Sequence, residues 1–155
     1  MQSSGCLRNS DPLSRYIETF DKDRLALDGA YTSEATFSCR FISNSGSPSP
    51  YYFTKCNTGT LQGPLNIIQA LSSFSRRIVF TQTASPLDVT IDILQLPDMS
   101  YFVALAFNTI IEGVEVSVDM IFLLKDFARL KGKQVQFREL WAPFVVMSHQ
   151  MILRA

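Results

Sequence analysis

The sequence predicts an α+β domain in which N-terminal helices pack on a strongly curved antiparallel sheet. Three observations support this fold class. Apolar residues recur at helical spacing between residues 13 and 31. Two long β-rich runs flank Glu112-Gly113, as in a hairpin with a tight turn. Residues 87–94 alternate between apolar and polar side chains. Helices that precede a run of consecutive strands are typical of α+β rather than parallel α/β proteins.

The first helix is expected to begin at Pro12, because proline is favoured at the first helical position. Ser10 or Asp11 can cap it, since a short polar side chain accepts a hydrogen bond from a free amide of the first turn. The apolar positions recur at i, i+3, i+4 and i+7 and are Leu13, Tyr16, Ile17 and Phe20. One face of this helix should therefore be buried.

Two more helices are expected. Asp23 can cap a short second helix that carries Leu27 and Tyr31. The third begins at Pro64, and its apolar positions at helical spacing are Leu65, Ile68 and Leu71. Besides the hairpin, the predicted strands are Glu34–Ile42, Arg77–Thr83, Leu87–Leu94 and Phe144–Arg154. Tyr51–Phe53 should begin a further ordered segment, and loops are expected at Ser43–Pro50 and Asp126–Ala142.

The hairpin covers Tyr101–Lys125, and its two-residue link fixes the register of the two strands. Ile111 should pair with Val114 and, at the far end, Tyr101 with Leu124. The side chains on this first face are bulky and almost wholly apolar, so we expect it to face the core. The second face carries Phe102, Ala104, Ala106, Asn108, Ile110, Glu115, Ser117, Asp119, Ile121 and Leu123.

The second face of the hairpin is polar near the turn but small and apolar farther along. A sheet with one solvated face should alternate apolar and polar residues along its whole length. Either a helix or N-terminal segment of this chain covers the apolar part, or a second protein does. We favour a second protein that packs on Ala104, Ala106, Ile121 and Leu123.

Length and composition exclude several classes of protein. The 155 residues suit one domain over residues 11–155, preceded by a flexible lead-in over residues 1–10. Fourteen basic and fourteen acidic residues give no net charge that would favour nucleic acid. The three cysteines form no CxxC pair, as expected of reduced thiols inside a cell. A signal peptide and a run of transmembrane length are absent from the sequence, so we expect no membrane association.

Catalytic and metal-binding patterns are also missing from the sequence. It contains no glycine-rich phosphate loop, no metal-ligand spacing and no GxSxG. His149 is the only histidine, and we expect it at an edge or an interface. Asp88, Asp92 and Asp119 are candidate general bases, but they lie on polar or non-core faces. We therefore expect no enzyme activity, no cofactor and no metal.

Four segments resemble the nuclear transport factor 2-like domain of nuclear RNA export factors, the TAP and Mex family. Tyr16–Ser38 (YIETFDKDRLALDGAYTSEATFS) resembles its opening, and Leu65–Leu71 (LNIIQAL) resembles its third helix. Val118–Lys125 (VDMIFLLK) and Val145–Ala155 (VVMSHQMILRA) resemble its last two strands. The segments occur in the order of the family, and the match as a whole covers essentially residues 11–155.

This resemblance implies a cone-like domain that forms a heterodimer with a small nuclear-transport-factor-related export cofactor. In the family, the pair carries RNA through nuclear pores by binding Phe-Gly repeats of nucleoporins. RNA would be bound by other domains of the full-length protein, which would shuttle between nucleus, nuclear pore and cytoplasm. Alternatives are a divergent paralogue that uses the same heterodimer in nuclear RNA silencing or retention, and a small-molecule-binding or enzymatic domain of the same fold.

The resemblance also assigns candidate site residues. The partner interface is expected at Phe102, Ala104, Ala106, Asn108, Ser117, Asp119, Ile121 and Leu123, with Lys55 beside them. Lys55 falls where the family has a Ser-Arg-Asn segment, although lysine lacks the bidentate fork of arginine. The Phe-Gly pocket matches Leu13, Phe144 and Ser148. Ser10, Asp126 and Ser148 stand where the family has an apolar residue, a proline and an asparagine.

Overall fold

The computed structural model describes residues 2–6, 12–44, 51–81, 88–126 and 144–155. The described helices are α1 (Pro12–Lys22), a 3-10 helix (Arg24–Ala30), a second 3-10 helix (Tyr51–Cys56) and α2 (Pro64–Ser73). The strands are β1 (Gln2–Cys6), β2 (Tyr31–Ile42), β3 (Leu61–Gln62), β4 (Asp88–Gln95), β5 (Tyr101–Ile111), β6 (Val114–Asp126) and β7 (Phe144–Arg154). Among these helices, none is long and apolar enough to cross a membrane.

The strands form one sheet in the order β1-β4-β5-β6-β7-β2-β3. Neighbouring strands are antiparallel except for β2 and β7, which pair in parallel. The predicted α+β class is confirmed, but the sheet is mixed rather than purely antiparallel. A parallel pair requires a long crossover connection. Here, the whole chain between β2 and β7 serves as that connection, which local sequence patterns do not reveal.

The central hairpin has the predicted register. Ile111 pairs with Val114, Phe107 with Val118 and Tyr101 with Leu124. Glu112 and Gly113 have φ values of 52° and 78°, so both turn residues occupy the left-handed region that a tight hairpin turn demands. Along both strands, the first face is buried almost throughout. The buried first face of β5 and β6 is called the inner face below.

The helices cover the inner face. Tyr16, Ile17 and Phe20 of α1 are fully buried, as the helical stripe predicts, and Leu13 is partly buried. In α2 the burial differs from the prediction. Leu65 is 81% exposed, whereas Ile67, Ile68 and Leu71 are buried. Leu65, in the first turn of α2, thus lies outside the core. The buried face of the helix includes Ile67 in its stead, so this face is rotated about the helix axis from the predicted one.

Two further segments differ from the sequence-based expectations. Tyr31 begins β2 instead of ending a helix, and the short helix before it is of the 3-10 type. Within the predicted lead-in, Gln2–Cys6 form β1 and pair with β4. The polar loops predicted at Ser43–Pro50 and Asp126–Ala142 lie mostly outside the described residues, as do the proposed cap residues Ser10 and Asp11.

The predicted strand at Arg77–Thr83 is wrong for its described part, residues 77–81. The Asp21 carboxylate accepts hydrogen bonds from the backbone amides of Phe80 and Thr81, at 2.8 and 2.9 Å. The Arg24 guanidinium donates to the backbone carbonyls of Leu71, Phe74, Ser75 and Ile78. Three of these groups, the Ile78 carbonyl and the Phe80 and Thr81 amides, belong to the predicted strand, where they would otherwise pair with a neighbouring strand. The segment therefore runs over α1 as an irregular connection.

His149 was expected at an edge or interface, and this expectation is wrong. It is 1% exposed and lies on the core side of β7. Its ring stacks on Phe122 with centroids 4.0 Å apart. The hydroxyl groups of Tyr16 and Tyr31 lie 2.6 Å apart, and both are within hydrogen-bond distance of His149 Nδ1, at 3.3 and 3.0 Å. His149 Nε2 has no hydrogen-bond partner within the described part of the chain.

Burial lowers the pKa of His149 to about 3 and raises the pKa of both tyrosines. All three groups are therefore neutral at physiological pH. The two hydroxyls and Nδ1 of the neutral imidazole bond one another in a space that would not tolerate a charge, whereas Nε2 has no partner among the described residues. The cluster is a polar element of the core that fixes how α1, β2 and β7 meet.

We predict that the cluster makes stability sensitive to acid. The unfolded chain takes up a proton at His149 near pH 6.5, whereas the folded protein does not until about pH 3. Between these values, the free energy of unfolding should fall by up to about 1.4 kcal/mol per pH unit. His149→Phe preserves an aromatic ring against Phe122 but removes the titrating group, so its dependence on pH should be shallower.

Urea unfolding at pH 7, 6 and 5 measures this difference. His149 is the only histidine, and every other titrating side chain is common to both proteins. The difference between the two slopes therefore isolates His149. Equal slopes for the wild type and His149→Phe would contradict the assignment, whatever the absolute stability of the variant.

Candidate functional site

The second face of the hairpin remains uncovered by the described part of this chain. Phe102 is 39% exposed and Ile110 is 47% exposed, although both are large apolar residues. Ala104, Ala106, Ile121 and Leu123 are partly exposed. The expectation that no helix of this chain lies over these residues thus holds for the described helices, which pack on the inner face. We call this uncovered surface of strands β4–β7 and β2 the outer face.

Cross-strand pairing arranges the outer face in four rows. The first row is Leu94, Phe102, Leu123, Ser148 and Thr36. The second is Asp92, Ala104, Ile121, Gln150 and Ser38. The third is Thr90, Ala106, Asp119, Ile152 and Arg40. The fourth is Asn108, Ser117, Arg154 and Ile42. Eight of the nine predicted interface residues therefore lie side by side on one surface.

An apolar strip crosses the first two rows. Leu94 is 58% exposed and pairs with Phe102, which in turn pairs with Leu123. Ile121 lies beside them and pairs with Ala104. Large apolar side chains that form a contiguous exposed strip mark interaction sites more often than scattered ones do. The sequence analysis missed Leu94, because this residue falls on the polar side of the alternation over residues 87–94.

Two depressions flank the centre of the outer face. The first has a volume of about 400 Å³, and its side-chain lining from the first two rows is Thr36, Ser38, Phe102, Ile121, Leu123, Ser148 and Gln150. The second, of about 520 Å³, lies toward the hairpin turn and includes Thr90, Ala106, Asn108, Ser117 and Asp119. The small side chains of Ala104 and Ala106 contribute little bulk between them. Their size would let a second sheet approach closely.

Polar groups of the outer face are bonded to one another. Asp119 forms an ion pair with Arg154, and both side chains are partly exposed. Ser117 donates to Asn108 at 2.9 Å, and Thr36 donates to Ser148 at 3.0 Å. A covering partner would not have to supply a counter-charge for Asp119. The sequence analysis did not predict Arg154 as an outer-face residue, because its pairing with Asp119 depends on the register of β7 against β6.

Lys55, the ninth predicted interface residue, lies apart from the rows. It is exposed and belongs to the second 3-10 helix, which packs against β2. In the sheet order, β7 and β2 stand between that helix and the hairpin. Lys55 is therefore not one of the paired residues of the four rows, although Thr60, in the segment that follows this helix, lines the first depression together with Phe102 and Ile121.

The structure brings together two of the three residues predicted for the Phe-Gly pocket. Leu13 and Phe144 line one cavity together with Tyr16, Phe122 and Leu124, among others. Its volume is about 20 Å³, which has room for about one water molecule and not for a phenyl ring. Ser148 lies on the outer face, where it pairs with Leu123. Thus Leu13 and Phe144 come together as expected, but Ser148 does not join them.

Two of the three acidic candidates for general base catalysis have described side chains, and both are partly or fully exposed. Asp92 is exposed on the outer face, and Asp119 is held by Arg154. The Asp88 side chain lies outside the described part of the structure. A general base needs a reactive position within reach of a bound substrate. Neither described carboxylate lies in an enclosed pocket.

Comparison with known proteins supports the fold. No family model matches the chain, and no curated protein matches its sequence. A chain in the crystal structure of the C. albicans Mtr2-Mex67 M domain complex matches it with a TM-score of 0.61. The two sequences are 13% identical over 92% of this chain and 90% of that chain. At this identity, the similarity establishes a nuclear transport factor 2-like fold, in which helices pack on one face of a mixed sheet.

Proposed function

We propose that this chain is the heterodimerising domain of a nuclear RNA export factor, with the outer face as its binding surface. The partner would be a small protein of the same nuclear transport factor 2-like fold. The observation that carries this proposal is the exposed apolar strip of Leu94, Phe102, Ile121 and Leu123. The structural neighbour, solved as a complex of Mtr2 with the Mex67 M domain, supports the kind of partner.

The geometry of the outer face suits sheet-on-sheet packing. Two sheets that pack face to face lie roughly 10 Å apart, and their side chains interdigitate. The depressions on either side of Ala104 and Ala106 would receive side chains of the partner. The Asp119–Arg154 ion pair would lie at the rim of the apolar contact, where polar residues are usual in interfaces.

We further propose that the domain acts in a longer protein whose other domains bind RNA. That protein would shuttle between the nucleus, nuclear pores and the cytoplasm, without enzymatic activity of its own. The support for this part is the resemblance of four sequence segments to the export factors. It agrees with the balanced charge of the chain, since fourteen basic and fourteen acidic residues give no net positive charge to attract a phosphate backbone.

A second candidate is a divergent paralogue that uses the same heterodimer in nuclear RNA silencing or retention. The small volume of the cavity between Leu13 and Phe144, about 20 Å³, favours it, since the export receptors are expected to bind Phe-Gly repeats there. The position of Ser148 on the outer face, away from this cavity, also favours the divergent paralogue. Binding of Phe-Gly peptides therefore separates the two candidates.

The first prediction from this proposal concerns the outer face. A double change of Ala106→Arg and Ile121→Asp puts bulk and two charges into the proposed contact. Partner binding should weaken by several kcal/mol, because a long side chain would replace the small Ala106 and both charges would lose their hydration on binding. The inner face is unchanged, so the circular dichroism spectrum should be retained. Isothermal titration with a small nuclear-transport-factor-related export cofactor measures the affinity.

Leu25 and Leu65 provide a matched control for this double change. Both are exposed apolar residues on the helical side of the domain. Leu25→Arg with Leu65→Asp introduces the same two charges far from the outer face, and binding should be unaffected. Equal affinity of the wild type and the Ala106→Arg, Ile121→Asp variant would place the partner elsewhere. Loss of folding in that variant alone would show that the outer face is covered by this chain itself.

The second prediction concerns the Phe-Gly site. A cavity with room for about one water molecule should not admit a phenyl ring, so a Phe-Gly peptide at millimolar concentration should not shift NMR signals of residues near Leu13 and Phe144. Phe144→Ala removes the ring that closes the cavity and provides the comparison. Saturable shifts in the wild type, with a Kd of order 10⁻⁴ M as expected for one buried aromatic side chain, would favour the export candidate.

A further inference from the structure

Two of the three cysteines meet in the core, far from the hairpin. Cys39 lies on the buried side of β2 and is 3% exposed. Cys56 ends the second 3-10 helix and is 0% exposed. Cys56 lies beside Cys39, because Thr58, two residues after Cys56, is hydrogen-bonded to the Cys39 backbone, and Cys56 raises the pKa of the Cys39 thiol. Both are reduced in this structure, and neither contributes to the outer face.

Contacts on both sides of the cysteines hold this juxtaposition in place. The Thr58 amide donates to the Cys39 carbonyl at 3.1 Å, and the Cys39 amide donates to Thr58 Oγ1 at 3.0 Å. The Phe41 amide donates to Asn57 Oδ1 at 3.1 Å. On the other side, the rings of Phe41 and Phe53 stack with centroids 4.3 Å apart. The segment that carries Cys56 is therefore held against β2 by residues on both sides of Cys56 in the sequence.

We propose that Cys39 and Cys56 form a reversible intramolecular disulfide when a low-molecular-weight disulfide such as oxidised glutathione is present. One cysteine thiolate attacks the glutathione disulfide, which forms a mixed disulfide and releases one glutathione thiolate. The second cysteine then displaces the other glutathione. Both protein thiols lose their protons, the protein is oxidised by two electrons, and two molecules of reduced glutathione are formed. This proposal is independent of the proposed function.

The surroundings of the pair determine its rate of reaction. The interaction with Cys56 and burial raise the pKa of the Cys39 thiol, so the reactive thiolate is scarce in the closed core. Reaction requires the 3-10 helix that carries Cys56 to move away from β2. Cross-linking should be slow in native conditions and faster in urea below the unfolding transition, where local openings are more frequent. Once formed, the bond ties that helix to β2.

The test uses the full chain with Cys6→Ser, which removes the third thiol. The protein is incubated at pH 8 with oxidised glutathione, and free thiols are blocked with iodoacetamide. We expect mass spectrometry to find a product that has lost two hydrogen atoms and carries no glutathione or iodoacetamide. Peptide mapping should join Cys39 to Cys56. The urea midpoint should rise on oxidation and return after reduction with dithiothreitol, because the cross-link restricts the unfolded chain.

Single-cysteine variants complete the test. Cys39→Ser and Cys56→Ser, both in the Cys6→Ser background, should accumulate the mixed disulfide with glutathione, because no second thiol can displace it. The proposal is overturned if the two-cysteine protein keeps glutathione on both thiols. It is also overturned if the cross-link forms only at the rate of global unfolding, since the folded arrangement would then play no part.

Discussion

The register of the β5–β6 hairpin is the constraint on which the rest of the structure depends. Side chains alternate between the two faces of a strand, so a slip of one residue would exchange the faces completely. Glu112 and Gly113 prevent that slip, because both adopt the positive φ values of a two-residue turn. The bulky residues then face the helices, where Phe122 supports the ring of His149. The small and apolar residues are left on the outer face.

Polar side chains are accommodated differently on the two faces of the sheet. On the inner face, His149 is neutral and shares hydrogen bonds with Tyr16 and Tyr31, so the core tolerates three polar groups without charge. On the outer face, Asp119 and Arg154 neutralise each other at a partly exposed position. Around His149, the inner face is packed with the aromatic rings of Tyr16, Phe37 and Phe122. The outer face instead combines such polar pairs with exposed apolar side chains, among them Leu94 and Phe102.

Sequence reasoning succeeded where the determining interactions are local. The stripe of α1, the pairs of the hairpin and the bounds of β7 follow from helical spacing, a two-residue turn and strand composition. It failed where a side chain from a distant part of the chain decides the conformation. Asp21 and Arg24 bond the backbone of residues 75–81 and prevent the predicted strand. The rotation of α2, which buries Ile67 and exposes Leu65, is likewise set by the surface it packs on.

The sequence by itself determined that a hairpin with one core face exists and that its other face is apolar in part. Eight of the nine predicted interface residues follow from this pattern, since alternation along two paired strands is a local property. Only the tertiary structure decided that Leu94 and Arg154 join the outer face, that Ser148 leaves the Leu13–Phe144 cavity and that His149 is buried. Each of these depends on which strand lies beside which. The parallel pairing of β2 with β7 is fixed by packing of the whole chain and not by either segment alone.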